Sequence, residues 1–180
     1  LLQNVISGGV NIFFTFVAIA LIDKVGRKPL LLVGAVGQAI MLGILAYIFG
    51  TAPSGGPDSL SLSPESGLYA LLAANTYIAF FAFSWGPVMW VMLGEMVPNQ
   101  YRGSALALAG MAQWGANFLI TYTFPILLAN LGLGFSYGLY AFFGILAYVF
   151  VKFFITETKG KTLEDMSREE SERERLAGAG

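Results

Sequence analysis

Residues 103–151 read GSALALAGMAQWGANFLITYTFPILLANLGLGFSYGLYAFFGILAYVFV, and no charged side chain interrupts them. A helix crosses ~30 Å of hydrocarbon with about 20 apolar residues. This stretch is therefore long enough for two crossings, and Pro125, Asn130, Gly132 and Gly134 predict a turn near its middle. Working outward, Leu1 to Ile22, Pro29 to Pro57 and Ser66 to Gly94 are also free of charge, and each is long enough for one crossing. Strands end after about 4–8 residues, and an open sheet in lipid would leave backbone groups unpaired. The expected fold is an all-α polytopic membrane protein. Its five spanning helices lie at about 1–22, 29–50, 67–94, 103–124 and 134–155, followed by a tail over 156–180.

Composition agrees. Of the 180 residues 56% are hydrophobic and 12% charged, against roughly 25% charged in soluble domains. Mean hydropathy is +0.69. A net charge of −1 provides no basic excess for nucleic acid. Without Cys or His there are no disulfides and no imidazole for zinc or acid/base work. Leu1 is not a Met and opens directly into an apolar helix, which reads as a fragment of a longer protein.

The ten basic residues fall in three places: Lys24, Arg27 and Lys28; Arg102; and Lys152, Lys159, Lys161, Arg168, Arg173 and Arg175. Five alternating crossings put them all on one side, which the positive-inside tendency makes cytoplasmic. The tail is then cytosolic. Within it, Thr162 and Asp165 form a capping pattern, and Leu163 and Met166 stand one turn apart.

Three segments on that side mix charges of both signs: Asp23-Lys24-Val25-Gly26-Arg27-Lys28, Glu95-Met96-Val97-Pro98-Asn99-Gln100-Tyr101-Arg102-Gly103, and Glu157-Thr158-Lys159-Gly160-Lys161-Thr162-Leu163-Glu164. The first reads as a six-residue connection turned by Gly26, its cations favoured at a helix C-terminus. Lys24 and Lys28 are read as topology signals.

At bilayer depth, Asn11 and Gln113 are mid-helix amides, which can both donate to and accept from hydroxyls. A plain interhelical hydrogen bond competes for Asn11, and Asn117 is assigned a structural role. Trp85 and Trp114 lie too deep for an interfacial belt; for Trp90, one turn from Glu95, the belt reading stays open by depth alone, but that residue follows the helix break at Gly86-Pro87. Broken helices recur beside transporter binding sites. Gly8-Gly9, Gly34, Gly37 and Gly43 are expected to allow close helix approach.

Together these segments resemble the sugar porter family of the major facilitator superfamily over about residues 1–166. The run Ser84 to Glu95, with Ala112-Gln113-Trp114, is similar to the bacterial D-xylose–proton symporters. Thr156 departs from the family's usual Pro, and Ala82 stands where some glucose facilitators have Glu. The resemblance implies helices eight to twelve of a twelve-helix carrier. Its N-terminal half and helix seven would be absent, and with them the proton-titrating carboxylate. It further implies that Trp90 stacks on a sugar ring, that Gln113 and Asn11 read hydroxyls, and that Phe81, Gly86 and Trp114 line the pocket. Asp23, Arg27, Glu95, Arg102 and Glu157 would form a cytoplasmic latch.

The implied partners are a monosaccharide, the lipid bilayer and the missing half of the same carrier. No cofactor is implied, with a proton as the coupling ion. The implied function is proton-coupled pentose or hexose symport by alternating access at the cell (inner or plasma) membrane. A facilitative uniporter and a non-transporting sugar sensor stay open as alternatives. No intramembrane carboxylate, Ser/His pair or metal cluster points to an enzyme.

Overall fold

The computed structural model describes residues 2–52 and 62–160, and those residues are helical with short connections. The order is α1 (Leu2–Val25), α2 (Arg27–Thr51), α3 (Pro64–Phe83), α4 (Val88–Met96) and α5 (Arg102–Phe154). Four helical stretches are long and apolar enough to cross a membrane: 3–25, 27–51, 64–96 (α3 with α4) and 102–154. The capping pattern at Thr162 and Asp165 lies outside the described residues.

The 53 residues of α5 would measure ~80 Å if straight, far more than one crossing needs. Gly132, with φ 78° and ψ 171°, breaks it. The two arms fold back on each other, since the rings of Phe124 and Tyr140 stack with centroids 6.4 Å apart. The turn is thus narrower than the 125–134 segment expected, and Pro125 stays inside the helix. Proline costs a helix one hydrogen bond, whereas the reversal needs a left-handed backbone that glycine adopts freely.

The 23–28 connection also shrinks, to Gly26 alone. At φ 105° it reverses the chain between α1 and α2. α3 starts at Pro64, three residues before the expected boundary, with Ser63 capping the Ser66 N–H at 3.2 Å.

α2 is the centre of the molecule. It packs along the second arm of α5 and along α3, and α1 lies outside against α3 and α2. Small residues let α2 and α5 approach. A Cβ added to Gly134 would come within 2.6 Å of Gly50 Cα, and one on Gly144 within 3.1 Å of Ala39 Cβ. On the α3 side, a Cβ on Gly34 would overlap Ser84 and one on Gly37 would overlap the Phe80 ring. Gly8, Gly9 and Gly43, expected to serve the same purpose, have nothing within 4 Å of their added Cβ.

One apolar cluster (Leu30, Leu31, Val88, Met92, Val151) lies at the end carrying the basic segments, and a second (Leu45, Ala70, Ala73) lies toward the other end. The outer faces are apolar too, with Phe16, Phe118, Phe153 and Phe154 among the exposed side chains. A surface of that kind suits lipid.

Candidate functional site

At the basic end, Arg27 opens α2 and Glu95 sits in the last turn of α4. Arg27 Nη2 meets Glu95 Oε1 at 2.7 Å and Nε meets Oε2 at 3.0 Å, a bidentate pair. Arg27 Nη1 also reaches Asp23 at 3.0 Å and donates to the Ile22 carbonyl. The Thr158 hydroxyl, buried at 4% exposure, donates to Glu95 Oε2 at 2.7 Å.

Glu157 plays a different part from the expected ion pair. Its carboxylate accepts from the backbone N–H of Arg27 and of Lys28, each at 3.0 Å, and of Lys159 at 2.9 Å. It therefore caps α2 from the far end of the chain, where free N–H groups and the helix dipole favour an anion. Gly26 leaves room for it, because an added Cβ would lie 2.6 Å from Glu157 Oε2. Burial pushes the Glu157 carboxyl up, but the backbone N–H groups around it outweigh that and hold it below its ordinary value. Lys28 Nζ donates to the Lys152 carbonyl at 3.0 Å and Lys159 Nζ to the Lys24 carbonyl at 2.6 Å. Arg102 begins α5, and its buried Nε has no hydrogen-bond partner among the described residues.

Deeper in, the helix running through α3 opens at Ser84–Pro87. The N–H groups of Ser84 and Gly86 both turn back to the Phe81 carbonyl, at 3.2 and 2.9 Å. Trp85 Nε1 crosses to the Leu31 carbonyl of α2 at 3.1 Å. Trp90 follows one turn later, half-buried, with its ring edge 3.8 Å from where a Cβ on Gly110 would stand. Gly110 is one turn before Gln113 on the same face of α5. The Gln113 Oε1 is buried and has no hydrogen-bond partner among the described residues.

Trp90 and Gln113 are thus brought to one helix interface, with Gly86 at the break between them and α3. Asn11, Phe81 and Trp114 are exposed, Trp114 at 73%. A cavity of about 650 Å³ lies elsewhere, lined by Tyr47, Thr51, Ser63, Ser66 and Tyr69 among others, and one of about 320 Å³ lies between Ala39 and Ile145. Neither is lined by the expected residues.

One polar link escaped the sequence reading. Gln3 Nε2 donates to Ser7 Oγ at 3.2 Å, and Ser7 Oγ to Asn75 Oδ1 at 3.0 Å, joining α1 to α3. The signal was present as three polar side chains inside apolar spans, but pairing them needs the register between the two helices.

The family profile described as "Sugar (and other) transporter" matches residues 1–169. A glucose transport protein of Synechocystis sp. is 52% identical over 92% of this chain and 35% of its own length. The D-xylose-proton symporter of Escherichia coli is 46% identical over 92% of this chain and 33% of its own. The inward-open structure of the xylose transporter XylE from E. coli superimposes with a TM-score of 0.80 at 46% identity, covering 93% of this chain and 35% of that one. The chain therefore spans about a third of the length of these relatives.

Proposed function

Since the chain belongs to the sugar transporter family of multipass membrane proteins, we propose that it is the C-terminal part of a proton-coupled monosaccharide symporter working by alternating access. The observation that carries this reading is the placement of the Trp90 ring against Gly110, one turn from Gln113, whose amide oxygen is buried without a hydrogen-bond partner among the described residues. An indole supplies a flat apolar face for the C–H side of a sugar ring. An amide with a free acceptor supplies a hydrogen bond that a hydroxyl can complete. Gln113 stands eleven residues from the basic end of α5, ~16 Å along it and near the bilayer midplane, and Trp90 stands six residues, ~9 Å, from the basic end of α4. Asn11, Phe81, Gly86 and Trp114 complete the pocket against the other half of the carrier. The exposure of Asn11, Phe81 and Trp114 in this chain fits surfaces that a further helical bundle would cover.

The basic end is proposed as cytoplasmic, in the cell membrane, with Asp23, Arg27, Glu95, Arg102 and Glu157 holding one conformation of the carrier. Exposed ion pairs contribute only ~0–1 kcal/mol each. A bidentate, partly buried pair braced by Thr158 biases two states a few kcal/mol apart more firmly. The glucose transporter and the xylose symporter among its relatives support a pentose or hexose as substrate. A uniporter is the second reading. It is supported by a glucose facilitated diffusion protein of Zymomonas mobilis, 38% identical over 92% of this chain and 34% of its own length.

The test uses the full-length carrier. D-xylose and D-glucose binding are measured by calorimetry on wild type and on Trp90→Ala at matched melting temperatures. Sugar-driven alkalinisation of the medium is followed in intact cells. Lost affinity in Trp90→Ala with proton uptake in wild type supports symport. Lost affinity without proton uptake favours the uniporter. Unchanged affinity removes the pocket.

A further inference from the structure

The break between α3 and α4 is seated, not loose. Ser84 is fully buried and rests in the gap left by Gly34, where any Cβ would overlap its Cβ and Oγ. The next residue, Trp85, lies 3.2 Å from the same position and donates its indole N–H to the Leu31 carbonyl, one turn earlier on α2. Beyond the break, Val88 (0% exposed) and Met92 (4%) continue the contact with Leu30 and Leu31 in one cluster. One face of α4 is thereby held against α2. Trp90 stands two residues after Val88, about 200° round the helix at 100° per residue, and so is turned away from α2 toward Gly110 of α5. The direction of the Trp90 ring is a consequence of how the break is seated.

We propose that Gly34 and Trp85 are positioning residues for monosaccharide binding: the Gly34 socket and the Trp85–Leu31 hydrogen bond set the azimuth of α4 and so aim Trp90 at the face that carries Gln113. This rests on the reading of Trp90 as the sugar platform. Gly34 and Trp85 do not touch sugar. They act through Trp90, whose ring must lie within a fraction of an ångström of its productive place to stack. Gly37, one turn further along α2, packs on the Phe80 ring before the break. The nearest atoms to its added Cβ all belong to the Phe80 ring, so it serves as the control for a clash on α3 that does not strike Ser84 directly.

The experiment compares Gly34→Ala, Gly34→Ala/Ser84→Gly, Trp85→Phe, Gly37→Ala and Trp90→Ala in the full-length carrier. The readouts are the Kd for D-xylose and D-glucose, the KM and kcat of uptake per folded carrier, and the melting temperature. Gly34→Ala and Trp85→Phe are expected to weaken binding roughly fivefold to tenfold. KM should rise with kcat little changed, the pattern of lost uniform binding. Ser84→Gly removes the atoms that the new methyl strikes, so the double variant should recover most of the affinity. Gly37→Ala should lower the melting temperature and leave Kd alone.

If Gly34→Ala does not fold, Trp85→Phe decides alone, since it keeps the ring and loses only the N–H. Wild-type affinity in Trp85→Phe would overturn the proposal. So would a double variant that folds without regaining affinity over Gly34→Ala, or a Gly37→Ala that loses affinity equally. Unchanged binding in Trp90→Ala would instead overturn the sugar-platform reading itself, so the two failures are distinguishable.

Discussion

Arg27, the first residue of α2, and Glu95, in the last turn of α4, face each other through two nearly parallel hydrogen bonds of 2.7 and 3.0 Å. Because α4 is the segment beyond the helix break, this pair ties its outer end to the central helix. Arg27→Lys keeps the charge but not the fork. In the full-length carrier it should slow sugar uptake severalfold while equilibrium sugar affinity stays within about twofold, because a network at a helix end biases conformations without touching the ligand. Uptake and calorimetry on the same preparation check this, and affinity falling in step with uptake would contradict it.

Gln113→Ala should weaken monosaccharide binding by about 1–3 kcal/mol, roughly 5- to 150-fold. The alanine removes the free acceptor and leaves a sugar hydroxyl unpaired in a dry site. Asn11→Ala should cost less, because its sugar contact competes with an interhelical hydrogen bond. Titration of purified variants with D-xylose and D-glucose gives the order directly.

Glu157 has its carboxyl held below the ordinary value of 4.5 by backbone N–H groups. Its contribution to stability is therefore complete above the unfolded-state pKa and is lost as pH falls through the lower folded-state pKa. Glu157→Gln should leave a melting temperature with a weaker decline below pH 4.5 than wild type, and a lower plateau at pH 7. A melting series from pH 3 to 7 in detergent reads both, and parallel curves would show that the cap carries no such linkage.

The α2–α5 seam predicts opposite outcomes for two alanines. Gly134→Ala inserts a methyl 2.6 Å from Gly50 Cα and should destabilise by about 1–3 kcal/mol. Gly43→Ala, with nothing within 4 Å, should be neutral or stabilise by up to ~1 kcal/mol, since alanine is the better helix former. Thermal melts of the two single variants separate these effects.

Orientation is open to labelling. Cysteines at Val25 and Asn99 should react with an impermeant thiol reagent only in inside-out vesicles, and those at Glu65 and Asn130 only in right-side-out cells. Reaction of position 65 from the cytosolic face would reverse the proposed topology.

The long uncharged stretches made the all-helical membrane character legible, since length and missing charge are properties of the chain alone. Helix ends were less so. The reversal before the last arm falls at Gly132 and not at Pro125, because a proline is tolerated within a helix that neighbours support while a left-handed residue ends it. The glycines divided in the same way. Gly34 and Gly37 proved to be contact points and Gly43 did not, a matter of which face of α2 meets a partner. The pattern Ala46-x-x-x-Gly50 against Gly134-x-x-x-Gly138 was readable in retrospect but stood among 22 glycines. Trp90 and Gln113 were legible as an aromatic and an amide at depth. That the Trp90 ring packs at Gly110, one turn from Gln113, depends on how α4 lies against α5, which no spacing rule encodes. Glu157 was read as one charge among several, and its role as a cap depends on a contact 130 positions away in sequence.

That separation also orders the protein's biogenesis. The ribosome makes α2 well before it makes Glu157, so the opening N–H groups of α2 emerge with their acceptor still unsynthesised. Water or lipid headgroups must satisfy them in the interim, at the membrane surface where α2 begins. Closure of this end therefore comes only after both arms of α5 have been synthesised. A chain cut between Phe154 and Glu157 would carry every apolar helix described here and still lack that closure. Insertion and final locking are thus separable steps, which a nascent-chain series ending on either side of residue 157 would resolve by protease resistance.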